Sequence, residues 1–177
     1  MKIIFFDTET DGLQKNIALP LEKQPMTLEL FYLLMNEKGE ELEASTNLFA
    51  KRRIIPDKIT EITGIDEELL KGAPPASDII PRIVDVFESV DRIVAHNLAY
   101  DRFIVDCECA RLQLPKLHWP ELLCTVEATE FIKGYRLSLS ALHEELFGEK
   151  FKGAHRAEPD VRAMAKCYFE LQARGLI

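Results

Sequence analysis

Ile3-Ile4-Phe5-Phe6-Asp7-Thr8-Glu9-Thr10-Asp11-Gly12-Leu13 is an apolar run that ends in two carboxylates one pleat apart. Side chains of a strand alternate faces, so Ile3, Phe5, Asp7 and Glu9 point one way and Ile4, Phe6 and Thr8 the other. Both faces begin apolar, the pattern of a central strand buried on both sides. Asp7 and Glu9 then stand side by side where the strand leaves the core. Like charges so close require a compensating cation, either a basic side chain or a bound metal. Lys15 is the nearest basic residue in the sequence. Hard divalent cations such as Mg2+ favour carboxylate oxygens and share their coordination with water and substrate phosphates. Gly12 lets the chain turn away while its backbone stays near a ligand.

Downstream, Pro20 and Pro25 deny regular pairing to a loop from Gln14 to about Pro25, which can border the site. Thr27 to Met35 and Glu40 to Phe49 read as an antiparallel hairpin around a turn at 37–39, with the more polar second strand at the sheet edge. Lys51, Arg52 and Arg53 are the densest basic run and are expected to be a solvated edge or loop. A short helix follows Pro56 and stops at Gly64. A helix from Ser77 to Ser89 presents Ile80, Val84 and Phe87. Arg92 to Ala95 is a short strand, and Asn97 is placed to cap a helix running to about Leu112. That helix has two apolar stripes, one through Ala99, Phe103, Cys107 and Ala110, the other through Leu98, Asp101, Val105 and Cys109. An acid on an apolar stripe is partly desolvated and needs a partner, although its place in the first turn also suits the helix dipole. Leu122 to Thr125 reads as a last strand. Leu137 to Phe147 is an amphipathic helix with His143 toward its polar side. The final helix starts near Pro159, with Asp160 one step of four before the buried stripe Met164, Cys167 and Leu171. His155 lies five residues earlier, in a lead-in containing Gly153. His118 is expected to be exposed.

The length of 177 residues and 47% hydrophobic content suit one compact domain, 1–177. The four cysteines show no Cys-x-x-Cys spacing, which argues against disulfides and a zinc site. No apolar run reaches membrane-spanning length, so a soluble protein of the cytoplasm or another intracellular compartment is expected. Thirty acidic against 22 basic residues give a net charge of -8, which argues against broad binding to duplex nucleic acid. A strand end needs few phosphate contacts, and a bound metal reverses the local sign of an acidic pocket.

Asp7, Glu9, Asp101 and Asp160 thus stand where strands or helices begin or end, with His155 beside the last. Together they match the needs of two-metal phosphodiester hydrolysis. Histidine side chains exchange protons near neutral pH and serve as general bases.

At these residues the sequence resembles the DnaQ-like 3′-to-5′ exonucleases of the DEDDh type, a family that includes the proofreading subunits and domains of DNA polymerases. Phe6-Asp7-Thr8-Glu9-Thr10-Asp11-Gly12-Leu13 is similar to its first motif, Val94-Ala95-His96-Asn97-Leu98-Ala99-Tyr100-Asp101 to its second, and His155-Arg156-Ala157-Glu158-Pro159-Asp160 to its third. The resemblance spans nearly the whole chain. It implies an α/β, ribonuclease-H-like fold: a central mixed five-stranded sheet with an antiparallel hairpin beside the first strand and helices on both faces. It implies two Mg2+ or Mn2+ ions, one held by Asp7, Glu9 and Asp160 and one by Asp7 and Asp101, with His155 as general base. Thr10 and Leu13 would contact the terminal nucleotide and Asn97 the pocket floor. Glu158-Pro159 departs from the third motif of many relatives, and Arg156 and Lys152 are candidates to offset the extra acid. The implied activity is release of nucleoside 5′-monophosphates from a 3′ end, foremost of single-stranded DNA, with a DNA polymerase as a candidate partner and no membrane. Two rivals stand beside it: the same chemistry on RNA or short oligoribonucleotides, and a non-catalytic nucleic-acid- or polymerase-binding scaffold.

Overall fold

The computed structural model describes residues 1–14 and 16–177, so Lys15 lies outside the described residues. The strands are β1 (Lys2–Thr10), β2 (Thr27–Asn36), β3 (Glu41–Leu48), β4 (Arg92–Ala95) and β5 (Glu121–Cys124). They form one sheet in the order β3-β2-β1-β4-β5, with β1 in the middle as its two apolar faces require. β1 pairs antiparallel with β2 and parallel with β4. Helices α1 (Asp57–Thr63), α2 (Ala76–Glu88), α3 (Leu98–Arg111), α4 (Thr125–Ala128), α5 (Leu139–Phe147) and α6 (Ala157–Ala173) complete the fold.

Alternation along β1 divides the core in two. Ile4 and Phe6 pack with Ile80 and Phe87 of α2 and with Leu98 and Val105 of α3. Ile3 and Phe5 face the other way, against Leu142 of α5 and Val161, Met164 and Tyr168 of α6. Burial of such aliphatic and aromatic side chains stabilises by about 1.5–3 kcal/mol each. All four cysteines are buried and free. Among the described residues no helix is long and apolar enough to cross a membrane.

Three local expectations are corrected. On α3 the stripe with Leu98, Asp101, Val105 and Cys109 is buried, whereas Ala99 and Ala110 of the other stripe are exposed. His143 is buried, its Nδ1 2.7 Å from the Glu149 carbonyl oxygen and its ring against Phe147 and Phe151. The basic run is a loop with Lys51 and Arg52 exposed, as expected, and is corrected in one respect: buried carboxylates draw both arginine head groups in. Arg52 donates to Glu108 through Nη1 at 2.6 Å and Nη2 at 2.5 Å, and Arg53 donates to Asp11.

Glu108 is fully buried and also accepts from Thr27 N, Thr27 Oγ1 and Arg111 Nη1 at 2.9–3.0 Å. Burial alone would raise its pKa; the hydrogen bonds and charge of Arg52, helped by Thr27 and Arg111, hold it below the ordinary value. Its stabilising effect is therefore present above the unfolded glutamate pKa of about 4.3 and is lost as pH falls through the folded value. Glu108→Gln is expected to lower stability by about 3–5 kcal/mol, measured as the fall in the urea midpoint at pH 7.

Candidate active site

β1 keeps its antiparallel partner to the tip, where Thr10 faces Thr27. Its parallel pairing ends earlier, at Phe5 opposite Val94. The two strands part there, and a crevice outside the carboxyl ends of parallel strands is the usual ligand site of such sheets. Asp101, in the first turn of α3, completes the unpaired edge of β1. Its Oδ1 accepts from Thr8 N at 3.0 Å and from Thr8 Oγ1 at 2.7 Å.

Thr8 shares a face with Ile4 and Phe6 and so meets α3; Asp7 and Glu9 share a face with Ile3 and Phe5 and so meet α6. Asp160 enters from the first turn of α6. Asp7, Glu9 and Asp160 each bring one oxygen to within 4.8 Å of the other two. The structure thus groups three of the four expected carboxylates directly and sets the fourth, Asp101, beside them at the unpaired edge of β1, where its charge raises Asp7.

The cluster is short of positive charge. Burial holds the Asp7 carboxyl well above the usual carboxylate range, and Asp101, Glu9 and Asp160 push it further. Glu9 is pushed up to about 8, first by burial and then by Asp160, Glu29 and Asp101, with Arg156 opposing. Asp101 is raised to about 7 by burial against the opposing Thr8 bonds. Asp160 rises to about 6 by burial, opposed by His155. Asp160 Oδ1 is buried without a hydrogen-bond partner among the described residues. An all-oxygen donor set with excess negative charge and an orphaned oxygen fits a hard divalent cation.

His155 is exposed at the rim of a cleft of about 240 Å³ that Asp7, Asp160, His96 and Phe151 also line. Its backbone is left-handed, with φ 70°, and its N–H donates to Asp160 Oδ2 at 3.3 Å. Gly153, at φ 82°, lies so close to Pro159 that a Cβ would meet Pro159 Cγ at 3.1 Å. His96 is lowered to about 4, chiefly by burial, and its Nδ1 lies 2.9 Å from Thr125 Oγ1. It forms a neutral wall of the cleft.

The expected nucleotide contacts lie on the turn that leaves β1 and at the start of α3. Thr10 is buried, with Oγ1 2.7 Å from the Gly12 carbonyl oxygen and 2.5 Å from Tyr100 Oη, which itself donates to Gly12 O at 3.0 Å. Leu13 is 78% exposed. Asn97 occupies the helix-cap position but does not cap: its backbone is left-handed, and its Oδ1 accepts from Arg136 Nη2 at 3.3 Å. The loop after Gly12 is braced from beneath. Arg111 Nη2 donates to the Leu21, Gln24 and Pro25 carbonyls, each at 3.0 Å, and Arg53 Nη2 donates to Gln24 O at 2.6 Å.

The model of the RNase_T exonucleases matches residues 4–168. The chain belongs to that exonuclease family. Among the relatives, a DNA polymerase III PolC-type protein of Caldanaerobacter subterraneus subsp. tengcongensis is 26% identical over 175 residues, covering 96% of the chain but 11% of that much longer protein. A DNA polymerase III subunit epsilon of Aquifex aeolicus is 26% identical over 137 residues, covering 76% of the chain and 66% of that protein. The fold matches the nuclease domain of 3′hExo, a DEDDh family member solved bound to rAMP, with a TM-score of 0.81 at 14% identity, over 99% of the chain and 93% of that domain. The resemblance to DnaQ-like exonucleases and the mixed five-stranded sheet both hold.

Sequence reasoning missed several neighbours of the clustered acids. Thr8, the partner of Asp101, was marked only by its place between Asp7 and Glu9. Glu29 is 1% exposed and sits opposite Glu9 in the β1–β2 register. An acid between Leu28 and Leu30 in an otherwise apolar strand was its signal. Glu158 is paired with Arg162, whose Nε lies 2.8 Å away, and its charge also favours the cation of Arg156.

Proposed function

We propose that residues 1–177 act as one metal-dependent 3′-5′ exonuclease domain that shortens single-stranded DNA from its 3′ end and releases nucleoside 5′-monophosphates. The observation that carries this reading is the convergence of Asp7, Glu9 and Asp160, charge-deficient and with one orphaned oxygen, where Asp7 and Asp160 share a cleft with His155. Asp7, Glu9 and Asp160 would hold one Mg2+ or Mn2+ ion, and Asp7 with Asp101 a second. Such ions polarise the scissile phosphate and lower the pKa of the attacking water.

The chain's own residues do the rest. His155, exposed at the rim, takes the proton of the attacking water through its ring. Thr8 fixes Asp101 in one orientation by saturating Oδ1, which leaves Oδ2 for an ion. The Thr10-Gly12-Tyr100 hydrogen bonds hold the turn that presents Leu13 to the terminal base, and Asn97 shapes the pocket floor. Work inside the cell beside a DNA polymerase accords with the names of the PolC-type and epsilon relatives.

The test is digestion of matched 3′-labelled and 5′-labelled single-stranded DNA and RNA with Mg2+, Mn2+ or chelator. Stepwise shortening of DNA from the 3′ end, abolished by EDTA and restored by excess Mn2+, is the expected result. Preferential shortening of RNA would replace the DNA reading with the exoribonuclease one. Absence of cleavage on both polymers would favour the scaffold.

A further inference from the structure

We propose that the Arg156–Glu29 pair is a positioning latch that fixes the His155 segment against β2 and thereby sets the rate of proton transfer. The proposal rests on the reading of His155 as the general base.

Glu29 belongs to no direct grouping of the acids, yet it is buried and directly across from Glu9. Both of its oxygens are engaged from one place in the chain. Oε1 accepts from Arg156 Nη2 at 3.0 Å, and Oε2 accepts from Arg156 Nε at 3.1 Å and from Ala157 N at 3.4 Å. A planar guanidinium gripping a carboxylate at two points fixes direction as well as distance, which a single charge does not. Arg156 immediately follows His155 and is the last residue before α6.

Besides the fork, the segment is anchored by Ala157, which is fully buried in the core, and by the Arg156 carbonyl, which accepts from Asp160 N at 3.2 Å. Gly153 and His155 both have positive φ, a combination that local sterics do not favour for a side-chain-bearing residue. His155 has one hydrogen bond of its own among the described residues, the 3.3 Å contact of its N–H with Asp160 Oδ2. On its carboxyl side, the fork onto Glu29 is the attachment that also fixes direction. Glu29 sits on the strand that pairs with β1 beside Glu9, so the latch refers the imidazole to the same strands that carry the acids. Misplacement of a reacting group by about 1 Å reduces rate by about 100-fold.

The test uses Arg156→Lys, which keeps a positive charge for buried Glu29 and removes the fork. Arg156→Lys is expected to lower kcat by about 10- to 100-fold with KM within about twofold, and to speed amide hydrogen exchange at 154–157 while β1 and β2 amides keep their protection. In a His155→Asn background the same change is expected to alter kcat by less than about twofold, because its effect passes through the imidazole. An equal loss in both backgrounds would make Arg156 merely structural and overturn the proposal. Unchanged exchange at 154–157 would overturn the latch whatever the activity. If the unsubstituted protein shortens no 3′ end, the exonuclease reading fails by itself, and the catalytic half of the proposal with it. The exchange measurement then still decides whether the segment is latched.

Discussion

Asp7→Asn is expected to abolish 3′-end hydrolysis and, at the same time, to raise the melting temperature of the metal-free protein. The two outcomes have one cause. Without a cation, Asp7 is a carboxyl whose proton affinity is raised by burial and by Asp101, Glu9 and Asp160, and Glu9 is raised by burial, Asp160 and Asp101. Asparagine keeps the side-chain shape and is neutral without having to bind a proton, so it removes the cost of Asp7's raised proton affinity. Each pKa unit of that cost is worth about 1.4 kcal/mol, or about 3–6 °C for a chain of this size. The pH dependence follows with a definite sign. Glu9 and Asp160, at about 8 and about 6, bind protons more tightly folded than unfolded. The metal-free protein therefore loses stability as pH rises from about 4.5 to 8. A divalent cation cancels that loss, so the rise in melting temperature on adding Mg2+ should be larger at pH 8.5 than at pH 6. Calorimetry with and without Mg2+ at both pH values measures it. A wild-type protein equally stable across this range, with Asp7→Asn no more stable, would remove the charge-crowding account.

His155→Asn is expected to reduce kcat by about 100- to 10,000-fold, the usual contribution of general acid–base catalysis, while Mn2+ affinity stays within about threefold, since the ring is no ligand in the proposed set. Asparagine is the informative replacement because position 155 has φ 70°. It tolerates the left-handed region as histidine does, whereas alanine adds backbone strain that would confuse lost catalysis with lost structure. Single-turnover hydrolysis together with Mn2+ titration separates the two quantities. Near-normal turnover would assign the proton acceptor elsewhere.

Much of this site was legible in the sequence because it lies on regular elements with strict periods. Alternation in Ile3 to Glu9 placed two acids on one face, and a step of four before Met164 placed Asp160 in line with the core face of α6. Spacing alone did not say that α6 and α3 approach β1 from opposite sides, so it did not show that Asp160 meets Asp7 and Glu9 directly while Asp101 is held by Thr8. The misread residues share another trait: their environment comes from distant chain. His143 reads as polar until the Glu149 carbonyl and two phenylalanines close over it. Arg52 and Arg53 read as solvated until Glu108 and Asp11, whose burial depends on the whole fold, turn them inward.

The placing of Asp7 and Glu9 on one face of β1 and of Thr8 on the other makes the site a matter of parity. Odd positions from Ile3 carry the α6-side core and then Asp7 and Glu9; even positions from Ile4 carry the α3-side core and then Thr8. A strand exchanges faces with every single-residue slip. Loss of one residue inside Ile3–Phe6 would leave either the core pattern or the carboxylates on the wrong side, whereas loss of two would keep both. The spacing between the buried residues of β1 and Asp7 is thus free to vary in even steps only, and chemistry at the tip is indexed by the count of residues buried beneath it.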